Sequence, residues 1–374
     1  TSFENFAECP LRYYLRYGVD LKEREEFTFS PVNFGVVLHA VIREVCDEIK
    51  KNGESYYLIS EEKRREMVKR SVAAITDIYQ NSILKDSSRN SFMIKRMEDL
   101  ADRTIWAMGE QLKCGDFVPF VFEHKFNMEV GDGDRKQLMS GTIDRVDICE
   151  NGTDVYVRII DYKTGKKDFN IVKTYYGIDI QLMVYMEAAM KLVAKMRPGK
   201  NVIPAGVFYY NISDPIVSAT TESAEEIEDK IKGELRLKGM VNSDKDIAEK
   251  MDNTEGTSLN IPVSRKADGG FDSRRSKVMN TEQFNMLGRF VDVRAVDTAD
   301  RIAGGDIRRS PYKDGQFSSC DRCPYGAVCG FSVDLPGCNY RKLKKFDDEV
   351  LWNNIKEGVD ENGKKMDTGA EECD

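Results

Sequence analysis

The sequence predicts an α/β fold in which a mixed central sheet is flanked by helices. Three observations predict it. An apolar helical face runs through residues 34–50, and alternating strands with turn signals between them run from Phe117 to Lys163. A helix at 179–196 is then followed by one more strand at 202–211, giving the order αβββαβ.

Each element has a local cause. At the start, Phe3, Phe6, Leu11, Tyr14 and Leu15 roughly follow helical spacing, and Pro10 is expected to break or restart the helix. In the next helix Phe34, Val37, Leu38, Val41, Ile42, Val45 and Ile49 form a broad apolar face, with Asn33 as the expected N-cap. His39 and Glu44 interrupt that face. Two readings of His39 stay open: a satisfied histidine at the core margin, which periodicity favours, or a metal ligand. Residues 50–115 are charge-rich and helical, and read as an insertion or lid with no chemistry of its own. From Phe117 the pattern is β: V-P-F-V-F-E-H-K-F-N-M-E-V, a polar turn at 131–135, then L-M-S-G-T-I-D-R-V-D-I. Asn151-Gly152 closes the next hairpin. Residues 220–305 read as a second insertion, with charged helix at 221–250, polar loops at 252–280 and a helix capped by Thr281 running to about Ala303.

The strand Val155–Lys163 carries the chemistry. Successive side chains alternate faces, so Val155, Val157 and Ile159 share a face with Asp161 and Lys163, and Tyr162 points the other way. Asp144 comes one hairpin earlier, in G-T-I-D-R-V-D. Gln181 and Tyr185 follow at helical spacing on one face. Carboxylates suit a hard cation such as Mg²⁺ that can activate a water, and a lysine can orient that water or offset charge on a phosphorane-like transition state. An Asp-x-Lys strand end alone is most often solvated surface; its neighbours lift this one. Glu123, on the first strand, either reaches the same site or pairs with a lysine.

Composition sets the limits. The 374 residues, 41% hydrophobic and 32% charged, are enough for a large core or two domains. No run is apolar and long enough to cross a membrane as a helix, no signal peptide is visible, and a cytoplasmic protein is expected. The chain opens at Thr1 inside a structured motif and reads as a piece of a longer protein. The net charge of −8 argues mildly against nucleic-acid binding, but most of it lies in an acidic tail, 347–374. Elsewhere the basic residues Lys163, Lys166, Lys167 and Lys173, and further on Arg308, Arg309 and Lys313, bear on DNA contact only because they flank the candidate site. There is no G-x-x-x-x-G-K-[ST] and hence no P-loop in this chain. Of nine cysteines, Cys46, Cys114, Cys149 and Cys373 are isolated, whereas Cys320, Cys323, Cys329 and Cys338 cluster as a metal site would. Three thiolates need a fourth ligand: spacing favours Cys338, and Cys9 would instead close the chain end to end.

Taken in order, G-V-V-L-H39, G-T-I-D144-R-V-D, I-I-D161-Y-K163-T-G and Q181-L-M-V-Y185 resemble the RecB-type branch of the PD-(D/E)XK nucleases. With Cys9, Cys320, Cys323 and Cys329, and with S-F-E-N-F-A-E-C-P, G-V-D-L-K-E-R and G-G-D-I-R-R-S-P-Y, the likeness narrows to the AddB-type nuclease domains of bacterial helicase–nucleases. It covers nearly all of 1–346, while Cys338 and the tail lie outside the pattern. The resemblance implies a restriction-endonuclease-like core. It implies Mg²⁺ (or Mn²⁺) held by His39, Asp144, Asp161 and the Tyr162 carbonyl, with Lys163 as catalytic lysine and Gln181 and Tyr185 completing the site. It further implies a [4Fe–4S] cluster on Cys9, Cys320, Cys323 and Cys329 joining the terminal segments, in place of the Cys338 site that spacing favours. The implied activity is a DNA exonuclease, cutting the 5′-terminated strand during double-strand break processing beside an AddA-type helicase partner. The alternatives are a DNA-binding scaffold of the same fold without cleavage, and a stand-alone Fe–S exonuclease.

Overall fold

A computed structural model describes residues 2–22, 31–78, 88–130, 137–218 and 222–360. Helices α1 (Ser2–Glu8) and α2 (Pro10–Tyr13, continued by a π-helical turn Tyr14–Gly18) lead to α3 (Pro31–Lys51), α4 (Glu61–Ile78) and α5 (Ser88–Lys113). Strands β1 (Val118–Val130), β2 (Gln137–Asn151) and β3 (Asp154–Lys163) follow as a meander. Next come α6 (Ile171–Tyr175), α7 (Gln181–Met196), β4 (Asn201–Asn211), α8 (Ala224–Glu234), β5 (Lys238–Asn242), α9 (Lys245–Met251), β6 (Val278–Met279) and α10 (Thr281–Ala303). The last described segment holds β7 (Tyr312–Asp314), β8 (Phe317–Ser318), α11 (Gly326–Cys329), β9 (Arg341–Lys342) and α12 (Asp348–Asp360).

The six strands β1 to β6 pair in sequence order. β1–β2, β2–β3 and β4–β5 are antiparallel, while β3–β4 and β5–β6 are parallel. Parallel β3 and β4 need a crossover, and α7 supplies it across one face. Two apolar cores result. Tyr156, Ile160, Tyr162, Phe208 and Tyr210 face α3, α4 and α5; Val155, Val157, Ile159, Val207 and Tyr209 face α7 and α10. The period-two reading of β3 therefore holds residue by residue.

Several expectations need correction. Residues 50–115, expected as a helical insertion or lid, pack into the first core through Met67, Val68 and Val72 of α4 and Met97, Ala101, Ile105 and Met108 of α5. The stretch 220–305, expected as a second insertion, adds to both the sheet and the second core. β5 and β6 extend the central sheet, and Phe284, Leu287, Phe290 and Val291 of α10 fill the second core. Gly239 lets β5 pair with β4, because a Cβ there would meet the Val207 carbonyl oxygen at 1.9 Å. The acidic tail does not begin at 347: α12 buries Leu351 and Ile355 in the second core. Its remainder, 361–374 with Cys373, lies outside the described residues, as does the expected turn at 131–135. Asn33 sits inside α3 rather than capping it. Asn280, not Thr281, caps α10, through a capping box with Gln283. Pro10 does restart the helix, standing at the first position of α2.

One polar group is embedded in the first core. Asp147 on β2 accepts from Arg145 at 2.7 and 2.6 Å and from Arg158 of β3 at 2.9 Å, and all three are fully buried. Arg158 also lies over the Phe117 ring at 4.8 Å. Burial works against the Asp147 carboxylate, but the two guanidiniums outweigh it and hold the carboxyl below its usual range.

Candidate metal centre and catalytic lysine

The β2–β3 ladder runs out at Arg145–Ile160, and the strands part just where the acidic residues stand. In that gap the Asp144 carboxylate accepts the Tyr162 backbone N–H at 2.7 Å, replacing the missing ladder bond. The helix α3 crosses above and aims His39 inward. Its Nδ1 lies 3.5 Å from Asp144 Oδ2 and 3.8 Å from Glu123 Oε1. The Tyr162 ring, on the sheet face that α3 covers, meets the imidazole edge-on at 5.9 Å. Among the described residues, His39, Glu123 and Asp144 form a group whose ligand atoms all lie within 4.8 Å of one another. Glu123 enters this group from the middle of β1 with a left-handed backbone, φ +48°. A non-glycine residue in that region costs on the order of 1 kcal/mol, and such strain gathers at functional sites.

Asp161 and Lys163 stand alongside, at the end of β3. Asp161 Oδ2 is 2.7 Å from Lys163 Nζ; the carboxylate is buried, whereas the lysine side chain is 27% exposed and opens to solvent. Lys163 donates to Gln181 Oε1 at 2.9 Å, and Gln181 Nε2 donates to the Tyr185 hydroxyl at 2.9 Å. These four side chains thus form one chain of contacts, from β3 onto one face of α7. Tyr185 packs edge-on against Phe126 at 5.6 Å, both beside Gly141 of β2. A Cβ at Gly141 would meet the Phe126 ring at 2.8 Å and the Tyr185 ring at 3.2 Å.

The electrostatics are those of a cation site. Burial first, and then the Asp144 charge, push the Asp161 carboxyl up to about 7, against the pull of Lys163 and His39. Burial opposes charging His39, but Asp144 and Glu123 outweigh it and lift the imidazole to about 10. An imidazole and two carboxylates in one group, with the Asp161 carboxyl near enough to feel the charges of Asp144 and His39, suit a divalent cation, which would have to displace protons from His39 and, if it engages it, Asp161. Divalent-cation affinity should therefore rise with pH, by roughly tenfold per unit for each proton released. Both protons count below about 7 and the His39 proton alone up to about 10. Calorimetric titration with Mn²⁺ in buffers of different ionisation enthalpy measures the protons directly; an affinity flat between about pH 6 and 9 would contradict these assignments.

The cysteines meet elsewhere. Cys9, Cys320, Cys323 and Cys329 line one small pocket together with Leu15, Pro311 and Phe331. Cys338 is buried but is not among its lining residues. Burial raises the Cys9 and Cys320 thiols. The segments around the pocket are tied directly: Leu11 N–H donates to the Arg308 carbonyl at 3.2 Å, Tyr325 OH to the Leu21 carbonyl at 3.0 Å, and Arg341 to the Ala7 carbonyl.

The basic residues expected around the site are partly neutralised. Lys167 pairs with Asp179 at 3.0 Å, Lys173 with Asp314 at 3.6 Å and Arg308 with Asp306 at 3.1 Å. Sequence reasoning leaves Glu123 undecided between metal and lysine, and misses Asp179 and Glu4. Glu4 Oε1 accepts the backbone N–H groups of Ile180 and Gln181 at 3.0 and 3.1 Å.

A family model described as the PD-(D/E)XK nuclease superfamily matches residues 1–330. The chain is 33% identical over 375 residues to an ATP-dependent helicase/deoxyribonuclease subunit of Thermoanaerobacter sp. (strain X514), covering 97% of this chain and 32% of that protein. The proteins of the same name from Caldanaerobacter subterraneus subsp. tengcongensis and Lachnoclostridium phytofermentans are each 34% identical, over 99% and 100% of this chain and 32% and 33% of theirs. The chain spans about a third of the length of these curated relatives.

Proposed function

The chain belongs to the PD-(D/E)XK nuclease superfamily, and on that premise we propose that it is a Mg²⁺- or Mn²⁺-dependent DNA exonuclease domain of an AddAB-type helicase–nuclease. It hydrolyses phosphodiester bonds of the 5′-terminated strand during double-strand break processing, next to an AddA-type motor that supplies the ATP dependence. The observation that carries this reading is the meeting of His39, Glu123 and Asp144 beside Asp161–Lys163 at the open end of β3. His39, Asp144, Asp161 and the Tyr162 carbonyl hold the ion, and Glu123 joins them. When bound, the ion supplies a Lewis acid and a water of lowered pKa. Lys163 faces solvent with its ammonium held between Asp161 and Gln181, so it can donate to the attacking water or to a phosphate oxygen without reorganising. The Lys163 ammonium, a donor only, selects the Gln181 amide oxygen, which leaves the amide nitrogen to donate to the Tyr185 hydroxyl.

In the same reading, Cys9, Cys320, Cys323 and Cys329 hold a [4Fe–4S] cluster. Four thiols drawn from both terminal segments into one pocket supply the donor set for it. Cys323→Ala is expected to lose the broad visible absorbance of the anaerobically purified protein and to lower its melting temperature, because ligand loss removes metal-binding energy from folding. Stoichiometric zinc without iron in the parent would refute the cluster.

The deciding experiment is Mg²⁺-dependent degradation of end-labelled linear DNA, with Asp161→Ala alongside and with the helicase partner present and absent. Cleavage by the parent and none by the variant supports the reading, and the label reports which end is attacked. DNA binding without cleavage under both conditions would make the chain a scaffold.

A further inference from the structure

The first turn of α7 leaves backbone N–H groups without intrahelical acceptors, and the residue at its N-cap, Ile180, offers no side-chain acceptor. The acceptor comes from far away in sequence, from the carboxylate of Glu4 on α1, which takes the N–H groups of Ile180 and Gln181. A negative charge there also suits the helix dipole. Gln181 is the residue whose side chain holds Lys163 on one side and Tyr185 on the other. Glu4 itself is well anchored. Phe3 and Phe6 of α1 are buried, Cys9 N–H donates to the Asn5 carbonyl at 3.2 Å, and Arg341 donates to the Ala7 carbonyl.

We propose that Glu4 is a positioning residue for Lys163. By fixing the first turn of α7 it sets where the Gln181 amide stands, and the amide sets where the ammonium stands. The inference rests on the nuclease reading for its kinetic consequence. It also gives the cysteine pocket a mechanical route to the site, since whatever holds Cys9 holds α1, and α1 carries Glu4.

The test uses four single variants and one double variant, in anaerobically purified chain. Glu4→Ala should lower kcat for linear DNA about tenfold and leave KM within about twofold, with Mn²⁺ affinity and iron content unchanged. Glu4→Gln keeps a side-chain oxygen at the same reach and should restore most of the rate; Glu4→Asp, one methylene short, should not. In a Gln181→Ala background, Glu4→Ala should have no further effect, because the two act through one amide. An unchanged kcat in Glu4→Ala, or an equal loss with Gln181 already removed, overturns the proposal. Hydrogen exchange provides a readout independent of cleavage. The Ile180 and Gln181 amides should be protected in the parent, exposed in Glu4→Ala and protected again in Glu4→Gln. A parent that never cuts fails the nuclease reading, whereas equal protection in parent and Glu4→Ala fails the positioning one.

Discussion

Lys163→Ala is expected to lower kcat for linear DNA by about a thousandfold while DNA binding and folding persist, since loss of a preorganised donor has roughly that effect. The structure adds a second consequence. Lys163 lowers the Asp161 carboxyl towards ionisation, so its removal leaves burial and Asp144 to keep that carboxyl protonated. Metal affinity at neutral pH should fall with the rate. The two effects should separate with pH: where alkaline conditions ionise Asp161 even without the lysine, metal binding should recover and kcat should not. Lys163→Arg keeps the charge but replaces a compact ammonium with a planar fork, which does not fit between Asp161 and Gln181, and it should rescue metal binding without rescuing turnover. Full recovery of kcat at that alkaline pH in Lys163→Ala would show that the lysine acts only by ionising Asp161.

The second large effect concerns stability. Asp147→Asn leaves two fully buried guanidiniums facing a neutral amide, and breaking a buried ion pair from one side costs about 3–5 kcal/mol. Arg158→Met should cost much less, because both Arg158 terminal nitrogens already lack hydrogen-bond partners and Asp147 keeps both of its bonds to Arg145. Chemical denaturation of the two variants measures the difference; equal losses would mean that Asp147 serves as packing rather than as counter-charge. The pH dependence has a definite sign. With its carboxyl held below the unfolded value of 3.8, Asp147 contributes fully above that pH, and its contribution fades as pH falls through the folded value.

How much of this is legible in the sequence depends on the range of the interaction. β3 is legible because alternation is a local signal, and both cores follow it from Val155 to Tyr162. Asp161 and Lys163 are legible because they stand at the end of a strand that the alternation already places, and Asp144 because it lies one hairpin earlier in the same pattern. His39 is visible only as an interruption in an apolar face, because helix spacing does not say that Asp144 and Glu123 lie across the gap. Glu123 stays undecided for a similar reason: its reach depends on a left-handed backbone that no residue type announces. β5 and β6 escape notice because one is five residues and contains a glycine, and the other is two residues long. α12 is hidden by composition, since acidic residues surround the few apolar ones that pack. Glu4 cannot be read as a cap, because the N–H groups it takes begin 176 residues later.

The joining of Leu11 to Arg308, and of Ala7 to Arg341, sets a timetable for synthesis. Cys9 leaves the ribosome 311 residues before Cys320 (320 − 9), roughly 15–60 s at ordinary bacterial elongation rates of about 5–20 residues per second. For much of that interval His39, Asp144 and Lys163 are all present in the nascent chain, yet the terminal segment that clasps α1 has not been made. The domain is thus assembled with its closing piece last, and its nascent form spends most of its synthesis without the clasp.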